Sequence, residues 1–272
     1  MVDLAVLNKA DEARRILRDL DRVVVAFSGG VDSTLLLRLA QDSLGDRCVA
    51  VTAISPSLSD RERREAAQLA RRIGARHLEI ESHELDRPEY AANGPARCYH
   101  CKTELFEICL KTARDLGFSS VVYGATRDDM GDYRPGMNAA RERGVRAPLL
   151  EAGMGKDDIR ALSHAFDLPT ADKPALACLA SRIPFGTPVS EDRLRRVERA
   201  EDALRDLGFH DVRVRFHGEV ARIEVGAAEW TRLLDSELRR RIATQVRDAG
   251  FRFVALDVEP FRSGRLVEVQ DP

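Results

Sequence analysis

The sequence predicts an α/β fold on a parallel sheet, followed by a smaller α+β domain. Three observations carry this. Short apolar runs alternate with helical stretches through the first two-thirds of the chain, the pattern of βαβ units. The strongest run, "VVVAF" at 23–27 within "RVVVAF", is apolar without a break, as a strand covered on both faces must be. Beyond about residue 183, "DVRVRFH" and "EVARIEV" instead alternate apolar and other residues around His217-Gly218, as a hairpin with one covered face does.

The elements follow in order. Ala13, Ile16, Leu17 and Leu20 share one face of a first helix. "RVVVAF" is the first strand, and "STLLLRLAQDSLG" is a helix closed by Gly45, a residue that tolerates a left-handed cap. "CVAVTA" is the second strand. "SLSDRERREAAQLARRIGA" opens with a capping pair, Ser59 and Glu62, and closes at Gly74. "RHLEI" is the third strand, and a helix starts at "CYHC" and runs to "RDLGF". "SSVVYGAT" is the fourth strand and "GKDDIRALSHAFDL" a further helix. "KPALACLASRIPFGTP", with Pro174, Pro184, Gly186 and Pro188, reads as loop and linker. Past it come a helix over 190–207, the two hairpin strands, a helix over 228–248 and the strand "FRFVALDV". The expected division is 1–183 for a first domain and 184–272 for a second. "RDLGF" at 114–118 and 205–209 and "RDAGF" at 247–251 are one helix stop used three times, glycine followed by an apolar residue.

Bulk composition narrows the function classes. The chain has 272 residues, 44% hydrophobic and 32% charged, which is a globular composition with a sizeable core. Lys and Arg total 43 against 45 Asp and Glu, a net charge of −2, so no basic excess favours bulk nucleic-acid binding. No apolar run approaches a membrane span. The N-terminus has early acids and no apolar signal core, so a cytoplasmic protein with reduced thiols is expected.

"VVVAFSGGVDSTLLL" carries the chemistry. A buried strand runs into Ser28-Gly29-Gly30-Val31-Asp32-Ser33, and a helix follows at once. Two glycines let backbone amides approach a ligand closely, and the amides converge on the positive end of a helix. Ser28 and Ser33 add hydroxyl donors. There is no Walker-type Lys, and the spacing is wrong for a dinucleotide fold. This strand–loop–helix resembles the pyrophosphate loop, or PP-loop, of the ATP pyrophosphatases. That resemblance implies a Rossmann-like parallel sheet, ATP held at Ala26, Ser28, Gly29, Gly30, Asp32 and Ser33, and transfer of AMP with release of pyrophosphate. Asp32 would repel phosphates unless Mg²⁺ lies between them, so a bound cation is expected. Gly124 ends the fourth strand in "VVYGATRDD". With Asp128 and Asp129 it is expected to face the nucleotide or its metal, since ligands sit beyond the carboxyl ends of such strands.

Five cysteines remain to be placed. Cys48 and Cys109 read as small core residues. Cys98 and Cys101 open a helix, where the dipole favours thiolate. Cys178 lies in the linker loop. Two cysteines alone would be half a zinc site. Three suit either an iron–sulfur cluster with one iron open or a reactive thiol with two helpers.

At this point the chain resembles the LarE family of sulfur transferases. The resemblance runs through "AFSGGVDSTL", "DDMGDYRPG", "ACLASRIPFGT", "VRVRFHGEVARIE" and "GFRFVALDVEPFRSGR". It implies that the carboxylates of pyridinium-3,5-biscarboxylic acid mononucleotide are adenylated and thiolated for the nickel-pincer nucleotide of lactate racemase. It places the sulfur-donor position at Cys178, and the presence of Cys98 and Cys101 matches members that hold a four-iron (4Fe-4S) cluster instead of sacrificing one cysteine. It places the substrate phosphate at Arg213 and Arg215, which project to one strand face. It also places Ser181, Arg182 and Glu201 in the active site, with Arg182, Glu201 and Cys178 as its catalytic residues. Homo-oligomers and a small nucleotide substrate are the expected partners. The rival readings are a tRNA-thiolating PP-loop enzyme, an ATP-dependent amide ligase with a structural zinc, and a nucleotide sensor.

Overall fold

A computed structural model describes residues 2–131, 135–174 and 177–261. The chain divides into two compact units, one of Met1–Tyr90 with Ala96–Leu176, the other of Ala91–Pro95 with Ala177–Pro272. Composition puts the change near 183; the second compact unit starts again at Ala177 and also includes the short stretch 91–95. The reason is local. Asn93 is fully buried, and its Nδ2 donates to the carbonyls of Pro184 at 2.9 Å and Thr187 at 2.8 Å, tying 91–95 to the linker.

The first unit holds helices α1 (Leu4–Asp19), α2 (Val31–Leu44), α3 (Asp60–Ile73), α4 (Pro88–Ala91, which ends in the second unit), α5 (Arg97–Leu116), α6 (Pro135–Glu142), α7 (Pro148–Glu151) and α8 (Lys156–Ala165). Its strands are β1 (Val23–Ala26), β2 (Cys48–Ile54), β3 (Arg76–Glu81) and β4 (Ser120–Tyr123), all parallel in the order β3-β2-β1-β4. Both faces are covered, and the twofold periodicity of a strand divides β1 between them. Val23 and Val25 pack with Leu17, Leu36 and Ile159, whereas Val24 and Ala26 pack with Phe106, Cys109 and Ala139. Leu35, Leu36, Leu37 and Leu39 of α2 are all fully buried, so the helix after the glycine loop is a core element and is held rigidly. Ser59 caps α3 as expected, its Oγ accepting from Glu62 N at 3.2 Å, and Gly74 closes it at φ 80.

The second unit has α9 (Glu191–Asp206), β5 (Val212–His217), β6 (Val220–Val225), α10 (Ser236–Asp248) and β7 (Phe253–Leu256). β5 and β6 form the expected antiparallel hairpin, and β7 joins β6 in parallel. The long helix expected over 228–248 is broken. A 3₁₀ stretch, Ala227–Leu234, precedes α10, because extended Asp235 caps it and accepts from Leu238 N at 2.6 Å. The three "RD(L/A)GF" stops behave alike: Phe118 N donates to Ala113 O, Phe209 N to Leu204 O and Phe251 N to Val246 O across a positive-φ glycine. Among the described residues, no helix is long and apolar enough to cross a membrane.

Candidate active site

The chain leaves β1 toward β2 and β3, then returns to the other side of β1 as β4. That reversal is a topological switch point, where an open α/β sheet forms a crevice at its carboxyl edge. The loop Ser28–Ser33 sits there by construction. The strand end is pinned first: Phe27 N donates to Val51 O at 2.8 Å, and Thr52 Oγ1 donates to Phe27 O at 2.8 Å. The loop then closes on itself. Ser28 N donates to Ser33 Oγ at 3.3 Å, the Ser28 and Ser33 hydroxyls share a bond of 3.1 Å, and Ser33 Oγ donates to Gly30 O at 3.1 Å.

Both glycine positions have steric causes. Gly29 takes φ 70, and a Cβ there would meet Ala66 Cβ of α3 at 3.1 Å. At Gly124 a Cβ would lie 2.8 Å from Ser33 N, so the start of α2 packs directly on the end of β4. Gly124 was expected to face the nucleotide; its missing side chain is required for this close approach. Ala26 is the buried last residue of β1. Asp129 is buried and accepts from Thr126 N at 2.7 Å and Thr126 Oγ1 at 3.0 Å, while Asp128 accepts from Lys156 N at 2.7 Å.

Two lysines complete this site and were not singled out from sequence. Lys156 Nζ pairs with Asp32 Oδ2. Lys173 Nζ donates to Gly29 O at 3.3 Å and pairs with Glu65 Oε2 at 2.8 Å. Neither belongs to the loop in sequence, so only the packing of α8 and of the segment after it brings them to the loop. The donor set suits a magnesium-bound triphosphate: amides and hydroxyls for phosphate oxygens, two ammonium groups, and a carboxylate for a hard cation.

The second unit carries a different site. Cys178 is exposed and precedes a 3₁₀ turn, Leu179–Arg182, within the segment expected to be loop. Arg182 folds back beneath it. Its Nη1 donates to Ala177 O, to Cys178 O at 3.1 Å and to Ser181 Oγ at 3.1 Å. The guanidinium is only 2% exposed and is gripped by Glu201, at 2.8 Å from Nε and 3.0 Å from Nη2. Glu201 also accepts from Arg205 Nη2 at 2.8 Å and Val214 N at 3.0 Å, so a fully buried carboxylate has four donors. Burial alone would push the Glu201 carboxyl up. Arg182, with Arg205 and Arg213, outweighs burial and holds its pKa at about 2.

Arg213 and Arg215 project from one face of β5, as expected. Arg215 is committed to Glu224 at 2.8 Å and to Ser181 O at 3.2 Å. Arg213 donates to Val212 O at 2.8 Å and lies 4.8 Å from the Phe261 ring centre. Among the described residues no carboxylate is within ion-pair distance of Arg213, and burial together with the Arg182 charge draws its pKa below the usual value. Of the pair, Arg213 is the one without a directly ion-paired carboxylate among the described residues, Glu201 and Asp211 acting on its charge from longer range.

The cysteines separate into two kinds. Cys48 and Cys109 are core residues whose thiols burial pushes up to about 12. Cys98 is exposed and Cys101 half-buried on the first turns of α5, which Ala96 leaves without a side-chain cap. Cys98 and Cys101 belong to the first unit and Cys178 to the second. Among the described residues no three His, Cys, Asp or Glu side chains are gathered as a metal site. Of the motifs read from sequence, residues 132–134, 175–176 and 262–265 lie outside the described residues.

A four-stranded parallel sheet bearing Ser-Gly-Gly-x-Asp-Ser at its switch point defines an α/β ATP pyrophosphatase, a PP-loop enzyme. Known proteins agree. The NAD synthase family matches residues 16–100. A pyridinium-3,5-bisthiocarboxylic acid mononucleotide synthase of Lactiplantibacillus plantarum is 40% identical over 92% of this chain and 90% of its own. An uncharacterized protein of Synechocystis is 41% identical over 96% and 98%. A tRNA-specific 2-thiouridylase of Azorhizobium caulinodans is 33% identical over 56% of this chain and 49% of its own. The chain belongs to the LarE family of ATP-dependent sulfur transferases.

Proposed function

We propose that this enzyme adenylates and then thiolates the carboxylates of pyridinium-3,5-biscarboxylic acid mononucleotide, in formation of the nickel-pincer nucleotide cofactor. The observation that carries this is the reach of the similarity. The matching synthase covers 92% of the chain and so extends over both units, whereas the tRNA thiouridylase covers 56%.

In this reading the loop Ser28–Ser33 holds the phosphates of Mg-ATP. A substrate carboxylate oxygen attacks the α-phosphorus, and pyrophosphate leaves with the electron pair of the broken P–O bond. The Cys178 thiolate then attacks the acyl carbon and AMP leaves, giving a thioester. Loss of the Cys178 Cα proton to a base and cleavage of its Cβ–S bond, with the pair going to sulfur, release the thiocarboxylate and leave dehydroalanine. A sulfide nucleophile would instead give the thiocarboxylate directly. The covalent intermediate divides one difficult substitution into two easier ones. Arg213 takes the substrate phosphate, with Arg215 set beside it by Glu224. Arg182 and Glu201 hold the turn that presents Cys178, through the carbonyls of Ala177 and Cys178. They act on the reaction by fixing that turn.

Cys98, Cys101 and Cys178 are the residues that would hold a 4Fe-4S cluster, and a bound cluster would supply an exchangeable sulfide for repeated turnover. Thiols are the right ligand type for such a cluster. Assembly as a homo-oligomer belongs to the same proposal.

The test is anaerobic turnover of the substrate mononucleotide with ATP. AMP, pyrophosphate and a thiocarboxylate product should appear together, by mass spectrometry. Product without AMP, or AMP without sulfur incorporation, would refute the reading. Iron, acid-labile sulfide and zinc are measured on the same protein. Stoichiometric iron and sulfide lost on Cys98→Ala supports the cluster. Their absence, with dehydroalanine at position 178 after one turnover, replaces it with a sacrificial cysteine.

A further inference from the structure

Lys156 lies far from the phosphate loop in sequence, yet its ammonium group sits on that loop's carboxylate, Asp32. Its placement is built into the fold. Gly155 N donates to Asp158 Oδ2 at 2.9 Å and starts α8, and Lys156 N donates to Asp128 Oδ2 at 2.7 Å. A Cβ on Gly155 would meet Asp128 Oδ2 at 2.9 Å, so backbone and carboxylate are in direct contact. Arg127 N adds a bond of 2.8 Å to Met154 O. From this double anchor the four-carbon stem reaches Asp32. The pair is partly exposed, with 38% of the Lys156 side chain and 22% of the Asp32 side chain accessible, so the ammonium group has a path to solvent that does not cross the core.

A divalent cation at this loop needs the same carboxylate. Magnesium takes its ligands from carboxylates, phosphates and water, and an ammonium resting on Asp32 competes for the site. The triphosphate brings several negative charges to the same place, each able to receive a lysine. We propose that Lys156 is an exchange cation. It neutralises Asp32 while the loop is empty, and it moves to a phosphate oxygen when Mg²⁺ and ATP arrive. Without nucleotide it keeps divalent cations off Asp32. With nucleotide it adds a charge to the triphosphate. Metal and ATP thereby bind as a unit, and the loop does not hold a metal alone. This rests on the assignment of the loop to Mg-ATP.

Two binding measurements on the full chain test it: Mn²⁺ without nucleotide, by electron paramagnetic resonance, and α,β-methylene-ATP with Mg²⁺, by calorimetry. Wild type, Lys156→Met, Lys156→Arg and Lys156→Met with Asp32→Asn are compared. Lys156→Met should bind Mn²⁺ roughly tenfold more tightly than wild type and the magnesium-bound analogue roughly tenfold less tightly, the scale of one charge contact near a protein surface. Adding Asp32→Asn should abolish the gain in Mn²⁺ binding, and Lys156→Arg should resemble wild type. Unchanged or weaker Mn²⁺ binding by Lys156→Met, or undiminished analogue binding, in protein with wild-type circular dichroism, overturns the proposal. Failure of wild type itself to bind the magnesium-bound analogue would instead overturn the assignment of the loop.

Discussion

Replacing Glu201 by Gln should destabilise the second unit through charge alone, because the side chain keeps its shape. The wild-type carboxylate is fully buried and answers Arg182 and Arg205. Its pKa falls from 4.5 to about 2 on folding. At about 1.4 kcal/mol per pH unit, that fall corresponds to about 3 kcal/mol of folding stability held by the ionised form. The same scale follows independently from breaking a buried pair, which costs roughly 3–5 kcal/mol because a charge is left uncompensated. The sign is fixed by the direction of the shift. A depressed carboxylate contributes fully above its unfolded value near 4.5 and loses the contribution as pH falls toward 2. The assay is urea unfolding followed by the single tryptophan, Trp230, which lies in the same unit. Glu201→Gln should lose about 3 kcal/mol at pH 7, and the difference from wild type should shrink below about pH 4.5. A difference under about 1 kcal/mol at pH 7, or one that does not change with pH, would refute the reasoning. The variant should also change the rate at which Cys178 is alkylated in the native protein, since Arg182 carries the effect of Glu201 to the Cys178 carbonyl.

Other outcomes follow from single contacts. Gly124→Ala forces a Cβ to within 2.8 Å of Ser33 N, so α2 must shift; roughly 1–3 kcal/mol of stability should be lost, with weaker binding of an ATP analogue. An alanine variant with wild-type melting and binding would show that the approach is not required. In protein without a bound cluster, native-state iodoacetamide labelling at pH 8 should spare Cys48 and Cys109, whose thiols are pushed up to about 12, and modify Cys98 and Cys178; peptide mass spectrometry reads the sites. Burial draws His77 below its usual value, so the unfolded chain binds the extra proton first and stability falls as pH drops through about 6.5. His77→Gln should flatten that part of the stability profile, and an unchanged profile would exclude His77 as its source.

Much of the architecture is written locally. The four strands of the first unit, the hairpin, Ser59 as a cap and the three glycine stops all depend on residues within a few positions of each other. A sequence reading reaches them for that reason. The phosphate loop is legible in the same way, since its glycines, serines and Asp32 are contiguous. The break before α10 was missed because one capping side chain, Asp235, overrode a helical periodicity that continues through it. Even the family likeness of Glu201 and Arg182 left their physical task open. They lie nineteen positions apart in the sequence, and only folding makes them a buried pair beneath the Cys178 turn.

By itself, then, the sequence determined the α/β class, the order of its strands, the ATP loop and which cysteines are core residues. The tertiary structure decided what surrounds them. It set Lys156 on Asp32 and Lys173 on Gly29, left Arg213 with no ion-paired carboxylate among the described residues while committing Arg215 to Glu224, and brought the start of α2 against Gly124. Charge pairing and close packing act over a few ångströms in space, and residues far apart along the chain meet only when the strands and helices have assembled.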